Sequence, residues 1–412
     1  MAKKIDLPEP IIPNDSWKIV KLGDYVRILN GYPFDSGRFT NSSENTFPLI
    51  RIRDVVRGYT ETFTDEDCPN EYKIKKDEIL IGMDGDFNIS RWKSDFGLLN
   101  QRVCKIKSAS KDLDDNFLYY YLPIPLKQIN DATPSVTVKH LSSNSLQQLH
   151  FPLPTLAEQK RIVNRIETMF AKLDEAKEKA QNVVDSFETR KAAILHKAFT
   201  GQLKIDNEEL SIADWEEKKL GDIVNGFKYG VSDKCDYKND GIPVLRIPNV
   251  GDGTIDFTDL KYSERNNIEE NYIVKENDIL IIRSNGSREL VGKSALYNNT
   301  DKQFSYGSFL IKITPSEVVN PKYLVTFLNS DDARNQMFNK AKSSSGIHNI
   351  NTKELSEIKL KLPPLNYQLS IVNFLDSILE KESRAKEAAQ TVLDQIALLK
   401  KSILARAFRG EL

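Results

Sequence analysis

The stretch PTLAEQKRIVNRIETMFAKLDEAKEKAQNVVDSFETRKAAILHKAFTGQL, residues 154–203, recurs as PPLNYQLSIVNFLDSILEKESRAKEAAQTVLDQIALLKKSILARAFRGEL, residues 363–412. Aligned without a gap, 21 of the 50 positions are identical. Neither copy contains Pro or Gly between 157 and 199 or between 366 and 408, while Pro154 and Pro363-Pro364 precede and Gly201 and Gly410 follow. That is the punctuation of a helix. A spacing of three and four picks out Ile162, Ile166, Met169, Leu173, Ala176, Ala180, Val183, Phe187 and Ile194 in the first copy. In the second it picks out Ile371, Leu375, Ile378, Ala385, Ala389, Val392, Ile396, Leu399 and Ile403. One charge interrupts each stripe, Arg190 in the first and Glu382 in the second. The pattern predicts two unbroken helices of about 40 residues, roughly 60 Å long, too long for capped globular helices. Two such helices in one duplicated chain pair most simply as an antiparallel coiled coil. A four-helix-bundle core is the bland alternative, and two long helices are too few for it.

The repeat extends outward from these helices. Trp17-Lys-Ile-Val-Lys-Leu22-Gly23-Asp24 returns as Trp215-Glu-Glu-Lys-Lys-Leu220-Gly221-Asp222. Pro48–Ile52 returns as Pro243–Ile247, and Asp77–Ile81 as Asn277–Ile281. Between such islands the halves diverge and the offset drifts from 198 to 209. Strand-like runs and short helix-like stretches (Asn116–Tyr121, Pro321–Leu328) alternate there with turn pairs such as Asn30-Gly31 and Asn285-Gly286. The reading is a mixed α/β chain with two pseudo-twofold-related globular domains separated by the coiled coil. Its boundaries are a first domain over 1–153, a first long helix over 154–203, a second domain over 204–362 and a second long helix over 363–412.

Composition narrows the class. The 412 residues carry 58 Lys and Arg against 59 Asp and Glu, net charge −1, so no whole-chain basic signal points to nucleic acid. A local basic patch is still compatible with that average. Cys68, Cys104 and Cys235 are too few and too scattered for a disulfide framework or a zinc set, which suggests a reducing, cytoplasmic setting. No apolar run approaches the ~18 residues that span a bilayer, and the N-terminus shows no stretch of signal-peptide length.

Familiar catalytic chemistry is missing. Gly286–Ser294 resembles a phosphate-binding loop but has five residues between its glycines where four are needed. Asp84, Asp86, Asn88 and Asp95 resemble a calcium loop, yet Ile89 stands where glycine makes the turn. The four histidines have no metal-binding spacing, and no serine nucleophile elbow occurs. Leu362-Pro-Pro-Leu365 lacks the polar residue and the ring that an amino-methyltransferase uses to hold its target amine. A non-catalytic chain with no metal is the expectation.

Each long helix opens with Leu-Pro-x-Leu-x-x-Gln and closes with Ala-Phe-x-Gly-x-Leu, and each domain opens with Trp-x4-Leu-Gly-Asp. This doubled layout resembles the specificity subunit of Type I restriction-modification systems from Trp17 to Leu412, with Tyr367 replacing a Glu of the family pattern. The resemblance implies two target recognition domains, each reading one half of an asymmetric, bipartite DNA site, and a coiled coil that sets the spacer. It implies docking of two modification subunits, which use S-adenosylmethionine to methylate adenine, and of restriction subunits that translocate DNA with ATP. The chain itself would hold no cofactor. A coiled-coil adaptor whose α/β domains bind proteins is the competing class.

Reading bases takes Arg, Lys, Asn, Gln, Ser or His at a groove. In the first domain the candidate DNA contacts are Tyr32, Arg51, Arg53, Arg91, Lys93, Lys139 and His140. In the second they are Lys228, Tyr229, Arg246, Asn249, Arg283, Asn285, Ser287, Arg288, Lys293 and His348. The loops after Glu78–Ile81 and Asp278–Ile281 combine glycine, polar and arginine residues just beyond a buried strand. For each residue an ordinary surface charge or internal ion pair is the alternative. Arg51 and Arg246 recur in copies that would read different bases, which favours a phosphate or structural role.

Overall fold

A computed structural model describes residues 17–133, 139–205, 208–209, 215–237, 241–264, 268–299, 302–344 and 346–412. The first sixteen residues, read above for a targeting segment, lie outside it. The chain divides into two units, residues 1–180 with 391–412 and residues 181–390. Each unit combines one α/β domain with a stretch of both long helices.

In the first unit an antiparallel sheet runs in the order Val26–Asn30, Val103–Ser108, Ile79–Gly82, Ile89–Arg91. Its central residues Leu80, Ile81 and Cys104 are fully buried, as expected of apolar runs covered on both faces. A second sheet contains Phe47–Ile50 beside Phe96–Leu99 in parallel. Lys18–Lys21 closes the domain by pairing antiparallel with His150–Leu153, just before the first long helix. The second unit repeats this plan. Its sheet runs Val224–Tyr229, Leu310–Pro315, Ile279–Ile282, Ser294–Leu296, Gly253–Thr254. Pro243–Leu245 pairs in parallel with Ser305–Tyr306, and Glu216–Lys219 closes onto Lys359–Leu362. The shared registers make Met83 equivalent to Arg283, Arg102 to Phe309 and Cys104 to Ile311.

The helix signatures acquire a physical reason. Gln159 is fully buried; its Nε2 donates to the carbonyls of Pro154 (2.9 Å) and Asp112 (2.7 Å), and its Oε1 accepts from the Asp114 amide (2.8 Å). Gln368 repeats this with Pro363 (2.8 Å), Val318 (3.1 Å) and the Asn320 amide (2.7 Å). Each glutamine ties the start of a long helix to the loop that opens a short helix of its own domain. A buried amide is tolerated only when satisfied in this way.

At the far ends the partners are exchanged. Phe408, from the second repeat, packs edge-on against Phe117 and Tyr121 of the first domain. Phe199, from the first repeat, packs edge-on against Tyr323 and Phe327 of the second. Gly201 and Gly410 follow with φ of 77° and 73°, the left-handed conformation that ends a helix without a Cβ penalty.

Within each unit the two helices run antiparallel. In the first unit, Ile162, Val163 and Ile166 share a core with Ala407 and Phe408, and Lys400 pairs with Asp174. In the second, Leu195, Ala198 and Phe199 share a core with Ile371, Val372 and Leu375. There Glu188 pairs with Lys386, and Arg190 Nε donates to Glu382 Oε2 at 2.8 Å. The two charges that interrupt the apolar stripes are thus partners. In the first unit the equivalent positions hold Leu173 and Leu399.

Two expectations need correction. The second helix is continuous from Leu365 to Ala407, but the first divides into Leu156–Asp185 and Phe187–Thr200. Ser186 at the break bonds back to the Asn182 carbonyl and also receives the Arg190 guanidinium. Beyond the break Leu195 is buried while the predicted Ile194 is only half-buried. In the second helix Ala385, Val392 (40 %) and Leu399 (46 %) are exposed. These three form one seven-residue row, while Ala389 and Ile396 of the neighbouring row are buried, so the buried face of this helix is narrower than the stripe. The other predicted stripe residues are buried or half-buried.

Candidate nucleic-acid interface

The parallel pairing of Phe47–Ile50 with Phe96–Leu99 brings two loops of the first domain together. Between them lies a cleft of about 470 Å³ lined by Phe34, Ser36, Phe39, Arg51, Ile52, Arg53, Asn100, Gln101 and Arg102. Three arginines and no carboxylate line it. Arg51 precedes the short helix Ile52–Arg57, whose buried Asp54 accepts the Arg51 amide at 2.9 Å. The Arg51 guanidinium lies 5.9 Å from the Phe39 ring centre. Arg53 is steadied by Thr62 Oγ1 at 3.0 Å. Gly31 allows the close crossing that forms one wall, since a Cβ there would fall 2.0 Å from the Asn100 carbonyl. Tyr32 follows, packed edge-on against Phe34 and Tyr72.

Beside the cleft, Asp84 accepts from His140 Nδ1 at 2.6 Å and pairs with Arg102 at 3.6 Å. The Asp84 side chain is mostly buried, whereas His140 (55 %) and Arg102 (56 %) face solvent. Lys139 instead turns inward to the Asn130 carbonyl at 2.6 Å. Arg91 reaches Asn116 Oδ1 (2.6 Å) and the Asp77 carbonyl (2.7 Å) and lies over Tyr119. It therefore belongs to a different hollow, shared with Glu78, Lys105 and Asp115. Lys93 is exposed beside Gly58, and its neighbour Trp92 is fully buried.

In the second domain the strand Ser284–Asn285 pairs with Ile347–Asn349, setting Asn285 opposite His348. Arg283 lies 4.6 Å from the centre of the Tyr229 ring, and its Nε approaches Asn349 Oδ1 at 3.4 Å. Ser287, Arg288 and the half-buried Lys293 follow on the loop, with Ser287 N bonded to Asn285 Oδ1 and Arg288 stacked on Phe338. Arg246 pairs with Asp259. Asn249 is a structural residue: it is 1 % exposed, and both amide hydrogens go to the Asp256 and Asp259 carbonyls. Lys228 lies over Tyr272 in a mixed-charge hollow with Glu270, Asp278 and Lys312.

The fold thus gathers Arg51 and Arg53 in the first domain, and Tyr229, Arg283, Asn285 and His348 in the second. It separates Arg91, Lys228 and Asn249 from them. Sequence reading missed Arg102, Gln101 and Asn100. Their signal was position, directly before the strand Val103–Ser108, where the other copy places Ser308-Phe309. Among the described residues no cluster of metal ligands forms, and no helix is long and apolar enough to cross a membrane.

This is a duplicated α/β protein with one polar, arginine-bearing edge on each domain, and known proteins share the plan. A family model described as the Type I restriction modification DNA specificity domain matches twice, at residues 14–185 and 212–391. The EcoBI specificity subunit of Escherichia coli is 32 % identical over 97 % of this chain and 87 % of its own length. The EcoKI specificity subunit of E. coli strain K12 is 26 % identical over 97 % and 89 %. The HsdS subunit of Thermoanaerobacter tengcongensis has the same fold, with TM-score 0.62 and 18 % identity over 97 % of this chain and 98 % of that one. The chain belongs to the Type I restriction-modification DNA specificity family. Within it, the chain is a specificity subunit, with two specificity domains in one polypeptide.

Proposed function

We propose that each α/β domain reads one half of an asymmetric, two-part DNA site, and that the long helices set the unspecified gap and carry the docking of two methyltransferase subunits. The observation that carries this is the first domain's cleft: three arginines, Asn100, Gln101 and Ser36 without a carboxylate, in a chain of net charge −1. Phosphate and base-edge contacts need such donors at the surface; the nearest acids, Asp54 beside Arg53 (3.9 Å) and Asp84 beside Arg102 (3.6 Å), sit behind the lining and do not cancel its charge. Divergent edges on a shared frame favour two different half-sites. In this reading the chain is not a catalyst. S-adenosylmethionine would belong to the methyltransferase subunits and ATP to the restriction subunits, all in the cytoplasm. The domain boundaries at 153, 203 and 362 remain part of the proposal.

Methylation-sensitive sequencing of cells that express this chain with its methyltransferase partner tests the reading. Adenine methylation confined to one bipartite motif, and absent without this chain, is expected. An unchanged motif when this chain is omitted would refute it.

A further inference from the structure

Two residue types change places between the domains. Met83 N donates to the Arg102 carbonyl at 2.9 Å, and at the same place in the second sheet Arg283 N donates to the Phe309 carbonyl at 2.9 Å. One domain carries the arginine just before the later strand and an apolar residue just after the earlier one; the other reverses them. Met83 is buried at 5 %, and Phe309 is exposed at 60 %. At this backbone pairing each domain therefore places a guanidinium, delivered from opposite sides. Arg102 is exposed and Arg283 is half-buried.

The supports differ too. Asp84 holds Arg102 by an ion pair, while its other oxygen engages His140. The second domain has Ser284 at that position and no carboxylate on Arg283 among the described residues. There the Tyr229 ring steadies the guanidinium face, and the hydrogen bonds to Asn349 (3.4 Å) and the Ser308 carbonyl (3.5 Å) are long. Stacking fixes the plane of the fork without consuming its donors.

We infer that Arg102 and Arg283 are the specificity-determining residues that each read a guanine of their half-site, with Asp84 and Tyr229 as their positioning residues. A planar fork of donors matches O6 and N7 of guanine in the major groove, and a good bidentate pair discriminates about 10- to 100-fold against the wrong base. The inference rests on the bipartite reading above, and the wild-type complex separates the two. If it methylates no bipartite motif, that reading fails and this inference with it.

Given a wild-type motif, R102A should relax one G·C position in one half-site and leave the other half-site required. R283A should do the reverse, and R102K should fail to restore discrimination because an ammonium cannot bind bidentately. A second measurement needs no variant. Competition binding by the wild-type complex, with 7-deazaguanine placed at each guanine in turn, should show one position per half-site that loses about 10-fold, the value of one hydrogen bond. An unaltered motif in R102A or R283A, or tolerance of 7-deazaguanine at every position, would overturn the assignment.

Discussion

Gln159 and Gln368 make matching hydrogen bonds at the two helix starts, and Phe408 and Phe199 make matching ring contacts at the two helix ends. At the polar edges of the same domains the match breaks down: Met83, Asp84 and Arg102 stand where the other copy has Arg283, Ser284 and Phe309. The junctions are buried and polar groups there must be satisfied, so few side chains fit. The edges are partly open, with Arg102 and Phe309 exposed, and a substitution at an exposed site costs stability little. Duplication preserved what packing constrains and left free what a ligand would select.

The largest expected effect breaks one junction at a time. Phe408→Ala should cost about 3–5 kcal/mol, the usual range for deleting a buried ring. Hydrogen exchange should rise in the first domain, and the mirror change Phe199→Ala should loosen the second. A loosened second domain in Phe408→Ala would contradict the exchanged packing.

Next come the glutamines. Gln159→Ala and Gln368→Ala each strand buried partners, at about 1–3 kcal/mol. The losses should agree within about 1 kcal/mol in urea unfolding, because the bonding is the same. Unequal losses would mean that the two junctions match in form only.

The Arg190–Glu382 pair sharpens the contrast between the helix stretches. Glu382→Leu alone should cost about 1 kcal/mol by leaving Arg190 without its partner. Adding Arg190→Leu should recover most of it, since the first unit already holds Leu173 and Leu399 at those positions. A double variant less stable than the single one would show that the pair is needed for this pairing.

The smallest effect tests the frame. Cys104 stands where the second sheet has Ile311, and Cys104→Val should cost less than about 1.5 kcal/mol. Burial pushes the Cys104 thiol up to about 12, so it should resist alkylation at pH 8 until the protein unfolds, as mass spectrometry can follow. Prompt native-state labelling would place it nearer the surface than its complete burial allows.

The sequence by itself determined the duplication, the two long helices, their antiparallel pairing and the family. These rest on local signals: a gap-free register, proline and glycine punctuation, apolar spacing and short signatures. It also held the polar edges in outline, through Arg51, Arg53, Arg283 and His348. Only the tertiary structure decided the rest. At the helix break, Arg190 bonds both Ser186 and Glu382, which lies opposite, 192 positions away. Asn249 looked available because its burial comes from backbone carbonyls that a turn brings back onto it. Arg102 looked ordinary because its place beside Asp84 and Arg53 is created by strand pairing. Pairing partners and burial arise from contacts distant in sequence, and no periodicity within one segment encodes them.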